Sequence, residues 1–120
     1  METVIKFPPL FVVLWYTKIT RENTMKAYWI AFVDIDNPEP YSRYMEQSPL
    51  ALKKYGARIL ARGQEITCLE GFDRTPDRAV VLEFDSYEQA MRCYQSEQYQ
   101  VARQHRVEVA NARILILKGM

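Results

Sequence analysis

Lys26–Asp34, KAYWIAFVD, is the stretch that decides the fold. It is rich in aromatic and β-branched side chains and contains neither glycine nor proline, so it reads as a strand. Tyr28, Ile30 and Phe32 fall on one face; Ala27, Trp29, Ala31 and Val33 fall on the other. Both faces are apolar, so both call for cover.

Outward from this strand the periodicity changes. Asn37 and Pro38 suit an N-cap and a first helical position. From Pro38 to Tyr55 the apolar residues Tyr41, Tyr44, Met45, Leu52 and Tyr55 recur at helical spacing, with Pro49 expected to kink or interrupt the helix. Gly56 suits a left-handed C-cap. Ala57–Arg62 (ARILAR) returns to alternation, placing Arg58, Leu60 and Arg62 on one face. Gly63 permits a bulge or bend, and Glu65–Glu70 (EITCLE) resumes the extended pattern. Gly71–Asp77 reads as a loop. Arg78–Asp85 (RAVVLEFD) is a further strand, with Val80, Leu82 and Phe84 opposite Ala79, Val81 and Glu83. Ser86 and Gln89 form a capping box for a second helix. Ser96 either breaks that helix or re-caps a segment running to about Val109. Ala112–Lys118 (ARILILK) is the last strand. Strand, helix, two strands, helix and strand in that order predict an α+β, ferredoxin-like βαββαβ sandwich. Helices cover one face of such a sheet. The other face needs a partner, and a second copy of the chain is the expected one.

Composition narrows the class. The chain has 120 residues, enough for one domain, with 48% hydrophobic and 26% charged content. Its 16 basic and 15 acidic residues leave a net charge of +1 and form no basic stripe, so a nucleic-acid partner is not expected. Two isolated cysteines, Cys68 and Cys93, and one histidine, His105, build no metal-ligand cluster. No glycine-rich phosphate loop is present, so no cofactor is expected. Reduced thiols fit a cytoplasmic protein. Residues 1–24 read differently. Phe7–Tyr16 is apolar but split by Pro8 and Pro9, and it is shorter than the roughly 20 residues a membrane span needs. Its flanks do not suit a signal peptide. Residues 1–24 are therefore expected to be a leader outside a domain spanning 25–120, with a real extra strand or arm as the alternative.

The polar candidates lie on the strands. Arg58 and Arg62, read as neighbours on one face, offer planar forks of donors suited to a carboxylate or enolate. Glu83 sits in an apolar strand, where a carboxylate is either paired with an arginine or raised in pKa by desolvation. In the second state it could act as a general base, which makes it the candidate catalytic residue. Glu70 joins the group, Tyr28 and Tyr44 could line a cleft between helix and sheet, and Arg106 could cap that cleft. The ligand would be a small anionic or carbonyl-bearing metabolite, and any chemistry would be cofactor-free acid/base work. The same groups also have a structural reading, in which Arg58 or Arg62 pairs across strands with Glu83 or Glu70 in a non-catalytic dimeric module.

An ordered set of short pieces carries a family resemblance. It runs through Lys26–Ala31 (KAYWIA), Tyr55–Arg58 (YGAR), Arg62-Gly63, Leu69–Gly71 (LEG), Val81–Phe84 (VLEF), Ser86–Ala90 (SYEQA) and Cys93–Ser96 (CYQS), then Tyr99, Ala102 and Arg106. Together these resemble the DUF1330 family, a domain of unknown function in the dimeric α/β-barrel superfamily. The resemblance covers Met25 to about Gly119. It implies a ferredoxin-like protomer whose sheet packs face to face with that of a second copy, and it implies no reaction. The wider superfamily includes cofactor-free monooxygenases, lactone isomerases and haem proteins, among which the fold does not choose. His105, the one histidine, reads as a surface residue on a charged stretch rather than as a haem ligand.

Overall fold

The computed structural model describes residues 25–120; the expected leader lies outside the described residues. The KAYWIAFVD stretch forms β1 (Ala27–Ile35) in the middle of the sheet. It pairs antiparallel with β3 (Arg78–Phe84) on one side and β4 (Ala110–Lys118) on the other. β2 (Arg58–Gly63) pairs antiparallel with β3 and completes the order β2-β3-β1-β4. This is the ferredoxin-like arrangement expected from the order of elements. Alternation decides the two faces. Ala27, Trp29, Ala31 and Val33 are buried against the helices. Tyr28, Ile30 and Phe32 are half-buried on the open face, beside Leu117, Leu115 and Arg113 of β4.

Helix α1 (Pro38–Lys54) starts with Pro at its first position, where a missing N–H costs nothing. Asn37 holds the N-cap position without a side-chain capping bond. Its backbone N–H, and that of Asp36, instead donate to the Val109 carbonyl at 3.2 and 2.8 Å. Pro49 does not interrupt the helix. It lacks the N–H that would reach the Met45 carbonyl, and the helix absorbs that single loss. The C-terminus ends as expected on Gly56, at φ +77°. Gly56 donates to the Lys53 carbonyl and Ala57 to the Leu52 carbonyl, both at 3.0 Å, which is the paired closure of a Schellman motif.

The second helical region is two helices, α2 (Tyr87–Gln95) and α3 (Glu97–Gln104). Ser86 Oγ accepts from the Gln89 backbone at 3.0 Å, half of the expected capping box. The Gln89 carboxamide goes elsewhere and donates to the Tyr55 carbonyl at 2.8 Å, tying the end of α1 to the start of α2. Ser96 closes α2 and re-caps α3: its hydroxyl donates to the Cys93 carbonyl and accepts from the Tyr99 backbone. α3 stops at Gln104 rather than near Val109, and residues 105–109 turn into β4.

Residues 64–77 belong to no strand, so Glu65–Glu70 does not extend the sheet. β2 already occupies the free edge of β3, and the segment folds back over the sheet end. Phe72 packs edge-on against Phe32 at 5.6 Å, with the Arg113 guanidinium over both rings. The Asp77 backbone donates to the Val33 carbonyl, and its carboxylate accepts from Ile35 N–H at 2.8 Å. Among the described residues no helix is long and apolar enough to cross a membrane.

Candidate functional site

The position of the site follows from one irregularity in β2. Arg58 lies opposite Glu83 and Ile59 opposite Leu82, but Ala61 then faces Val81 and Arg62 faces Val80. Leu60 is the extra residue of a β-bulge, and such an insertion reverses the faces that follow it. Arg58 therefore stands on the open face with Glu83. Arg62 stands on the helix-covered face with Val80. The expectation that the two arginines share a face is corrected by this bulge, which sits at Leu60 rather than at Gly63.

The open-face group is a closed ionic network. Arg58 Nε donates to Glu83 Oε1 at 2.9 Å, and Nη2 donates to Asp85 Oδ1 at 3.0 Å. Lys26 Nζ reaches the same Asp85 oxygen at 3.1 Å. Tyr28 donates its hydroxyl to Glu83 Oε2 at 3.2 Å, so both carboxylate oxygens are engaged. Tyr28 thus faces away from the helices and lines no cleft with them. The Arg58 guanidinium, helped by the Tyr28 hydroxyl, holds the Glu83 carboxyl below its ordinary 4.5. This is the paired alternative for Glu83, opposite to the raised carboxyl a general base requires. Glu70 is exposed in the 64–77 segment and forms no ion pair among the described residues.

The sign of the pH effect follows. A carboxyl lowered on folding stabilises the protein fully above its unfolded value, and that stability is lost as pH falls through the folded value. Asp85 is lowered likewise, by Lys26 and then Arg58, from 3.8. Melting temperature followed from pH 6 down to about pH 3 should therefore fall less steeply in Glu83→Gln/Asp85→Asn than in the unaltered protein. Parallel acid limbs would mean that the network contributes nothing to folding.

The helix-covered side holds a cleft of about 300 Å³ between α1 and the sheet. Trp29, Val80, Leu82 and Ile114 form its floor and Leu52 part of its roof. Four cationic side chains border it, Lys53, Arg62, Arg78 and Arg106, and no carboxylate does. Tyr41, Tyr44 and Ser48 add hydroxyls from successive turns of α1. Tyr41 lies close enough to Arg78 and Arg106 to feel both charges. Burial, and then Tyr44, nevertheless raise its pKa, so it remains a neutral hydrogen-bond donor.

Arg106 is the unusual member. It is 5% exposed, although arginine is almost never buried without a pairing anion. Its Nη2 donates to Tyr99 Oη at 3.0 Å, and Tyr99 Oη lies 2.8 Å from Tyr44 Oη. The guanidinium carbon sits 4.9 Å from the Tyr44 ring centre, a cation–π contact. Its Nε has no hydrogen-bond partner, and among the described residues no carboxylate pairs with it. A second hollow of about 320 Å³, between α2 and β4, is bordered by Arg103 and by Arg106 again, and is more open.

Of the residues singled out from the sequence, Tyr44, Arg62 and Arg106 meet in the cleft, whereas Arg58, Glu83 and Tyr28 meet on the opposite face. Arg78, Tyr41, Ser48 and Lys53 were not singled out. Strand parity carries a signal for Arg78, which alternates with Val80 and Leu82. Helical spacing carries one for Tyr41 and Ser48, which flank Tyr44.

The chain belongs to the DUF1330 family, a domain of unknown function whose family model matches residues 26–120. Among solved structures it is similar to a protein of unknown function from Rhodopseudomonas palustris. That match has a TM-score of 0.67 and 18% identity, and covers 94% of this chain and 95% of that one. It is also similar to SnoaB, a cofactor-independent oxygenase from Streptomyces nogalater, at TM-score 0.57 and 5% identity, covering 80% and 94%. A third is a conserved protein of unknown function and possible oxidoreductase from Bacteroides thetaiotaomicron, at TM-score 0.53 and 13% identity, covering 79% and 98%. At these identities the likeness is one of fold. No curated protein matches the chain.

Proposed function

We propose that this protein binds a small organic anion in the cleft between α1 and the sheet. Arg106 carries the proposal: a buried guanidinium with an unpartnered Nε and no carboxylate beside it. Burying an unpaired charge is costly, and a ligand oxyanion would relieve that cost. Half-buried Arg78 and buried Tyr41 also border the cleft. Arg62 and Lys53, both exposed, stand at the mouth. The apolar floor fits a hydrocarbon body. At neutral pH the lining offers donors and positive charge but no proton acceptor, so the site favours an anion or enolate without providing a base. Glu83 does not supply that base, because its carboxyl is paired with Arg58 and lowered, opposite to the raised carboxyl the role requires.

The test is a thermal-shift series with the full chain and small carboxylates. Stabilisation by a carboxylate should persist in Arg58→Ala and disappear in Arg62→Ala/Arg78→Ala. The reverse pattern would place the anion on the open face and overturn the proposal.

A homodimer through the open sheet face is part of the same reading. Leu115 and Leu117 are more than half exposed there, beside half-buried Ile30 and Val81. A contiguous apolar patch of this kind on a monomer is unusual. Light scattering should give twice the 14.2 kDa chain mass, and Leu115→Glu/Leu117→Glu should halve it. A unit mass for the unaltered chain would remove the dimer. Two free cysteines, Cys68 and Cys93, support a cytoplasmic setting.

A further inference from the structure

Tyr99 is fully buried, and its hydroxyl has two neighbours, Arg106 Nη2 at 3.0 Å and Tyr44 Oη at 2.8 Å. A guanidinium only donates, so Tyr99 accepts from Arg106. The Tyr99 proton then needs an acceptor of its own. Tyr44 Oη is the one oxygen paired with it among the described residues. A buried hydroxyl left without an acceptor is destabilising. The chain of bonds therefore runs in one direction, from Arg106 to Tyr99 to Tyr44. The proton of Tyr44 is left over, directed away from Tyr99, and Tyr44 borders the cleft.

We infer that Tyr44 is a hydrogen-bond donor of fixed direction for a ligand carbonyl, and that the cleft takes a 2-oxo acid or its enolate in preference to the matching amino acid. Arg106 and Arg78 hold the carboxylate, and Tyr44 holds the adjacent oxygen. An ammonium group in that place would meet the positive charges of Arg106 and Arg78, with no carboxylate bordering the cleft to pair with it. Tyr99 acts through Tyr44 and is a positioning residue. The inference rests on the anion-binding reading above and adds to it the group next to the carboxylate.

Three probes of one carbon skeleton separate the two: 4-methyl-2-oxopentanoate, 4-methylpentanoate and leucine, titrated calorimetrically into the full chain. The oxo acid should bind about fivefold tighter than the plain acid, the worth of one hydrogen bond. Leucine should bind at least about tenfold more weakly than the oxo acid. Tyr44→Phe should weaken the oxo acid about fivefold and leave the plain acid within about twofold. Tyr99→Phe, which keeps the ring and removes the directing hydroxyl, should reduce the oxo preference by about half or more. Equal binding of all three probes, or a Tyr44→Phe effect equal on both acids, would overturn the carbonyl inference and leave the anion site standing. No binding by any of the three would remove the anion site as well.

Discussion

Arg106→Met should abolish stabilisation by carboxylates while leaving the melting temperature of the unliganded protein unchanged or higher. Arg106 is buried and has no compensating carboxylate. Replacing a buried charge by an apolar side chain of similar length is often neutral or stabilising. Against that stands one lost hydrogen bond to Tyr99, worth about 1 kcal/mol, which Tyr99 offsets in part by keeping Tyr44. Binding should respond in the opposite direction. A charge-assisted hydrogen bond contributes about 1.5–3 kcal/mol, so affinity for a carboxylate should fall about 10- to 100-fold. Paired measurements of melting temperature, with and without ligand, check both halves. A variant that is much less stable without ligand would make Arg106 a structural residue.

Trp29→Ala should be the most damaging single change to stability. Trp29 lies on β1, an inner strand of the sheet, and is 2% exposed. Its ring packs on Phe84 at 5.9 Å, Tyr94 at 5.8 Å and, edge-on, Tyr99 at 5.2 Å. The side chain thereby joins the sheet to both α2 and α3, and it also forms part of the cleft floor. Truncating a buried aromatic of this size costs about 3–5 kcal/mol. Small domains are stable by only about 5–15 kcal/mol. At about 4 °C or more per kcal/mol, the melting temperature should drop by at least about 12 °C. A drop of only a few degrees would mean that the core is centred elsewhere.

The strands were legible because alternation and composition agree along Lys26–Asp34, Arg78–Phe84 and Ala112–Lys118. The caps were legible because Gly56, Ser86 and Ser96 each have a chemistry suited to one place. What the sequence concealed was the bulge at Leu60. ARILAR alternates without a break, and a one-residue insertion leaves no mark on that pattern, yet it moves Arg62 to the opposite side of the sheet from Arg58. The reading of Glu83 was half open: paired or raised. Its partner is fixed by cross-strand register, which no local pattern contains. Tyr28 and Tyr44 looked alike as candidates for a cleft, and only one lines it. Tyr28 follows the strand's outer parity, whereas Tyr44 sits on the inner stripe of α1. Arg106 was named from the sequence as a cap for the cleft. Its burial, and the absence of a carboxylate beside it, emerge only once α3, its turn and α1 are packed together.

The most direct test is a crystal structure of the full chain grown with saturating 4-methyl-2-oxopentanoate. The account predicts density in the cleft between α1 and the sheet, with the carboxylate on Arg106 and Arg78 and the 2-oxo oxygen on Tyr44. Density at Arg58 on the open face, or a cleft left empty at that concentration, would contradict it.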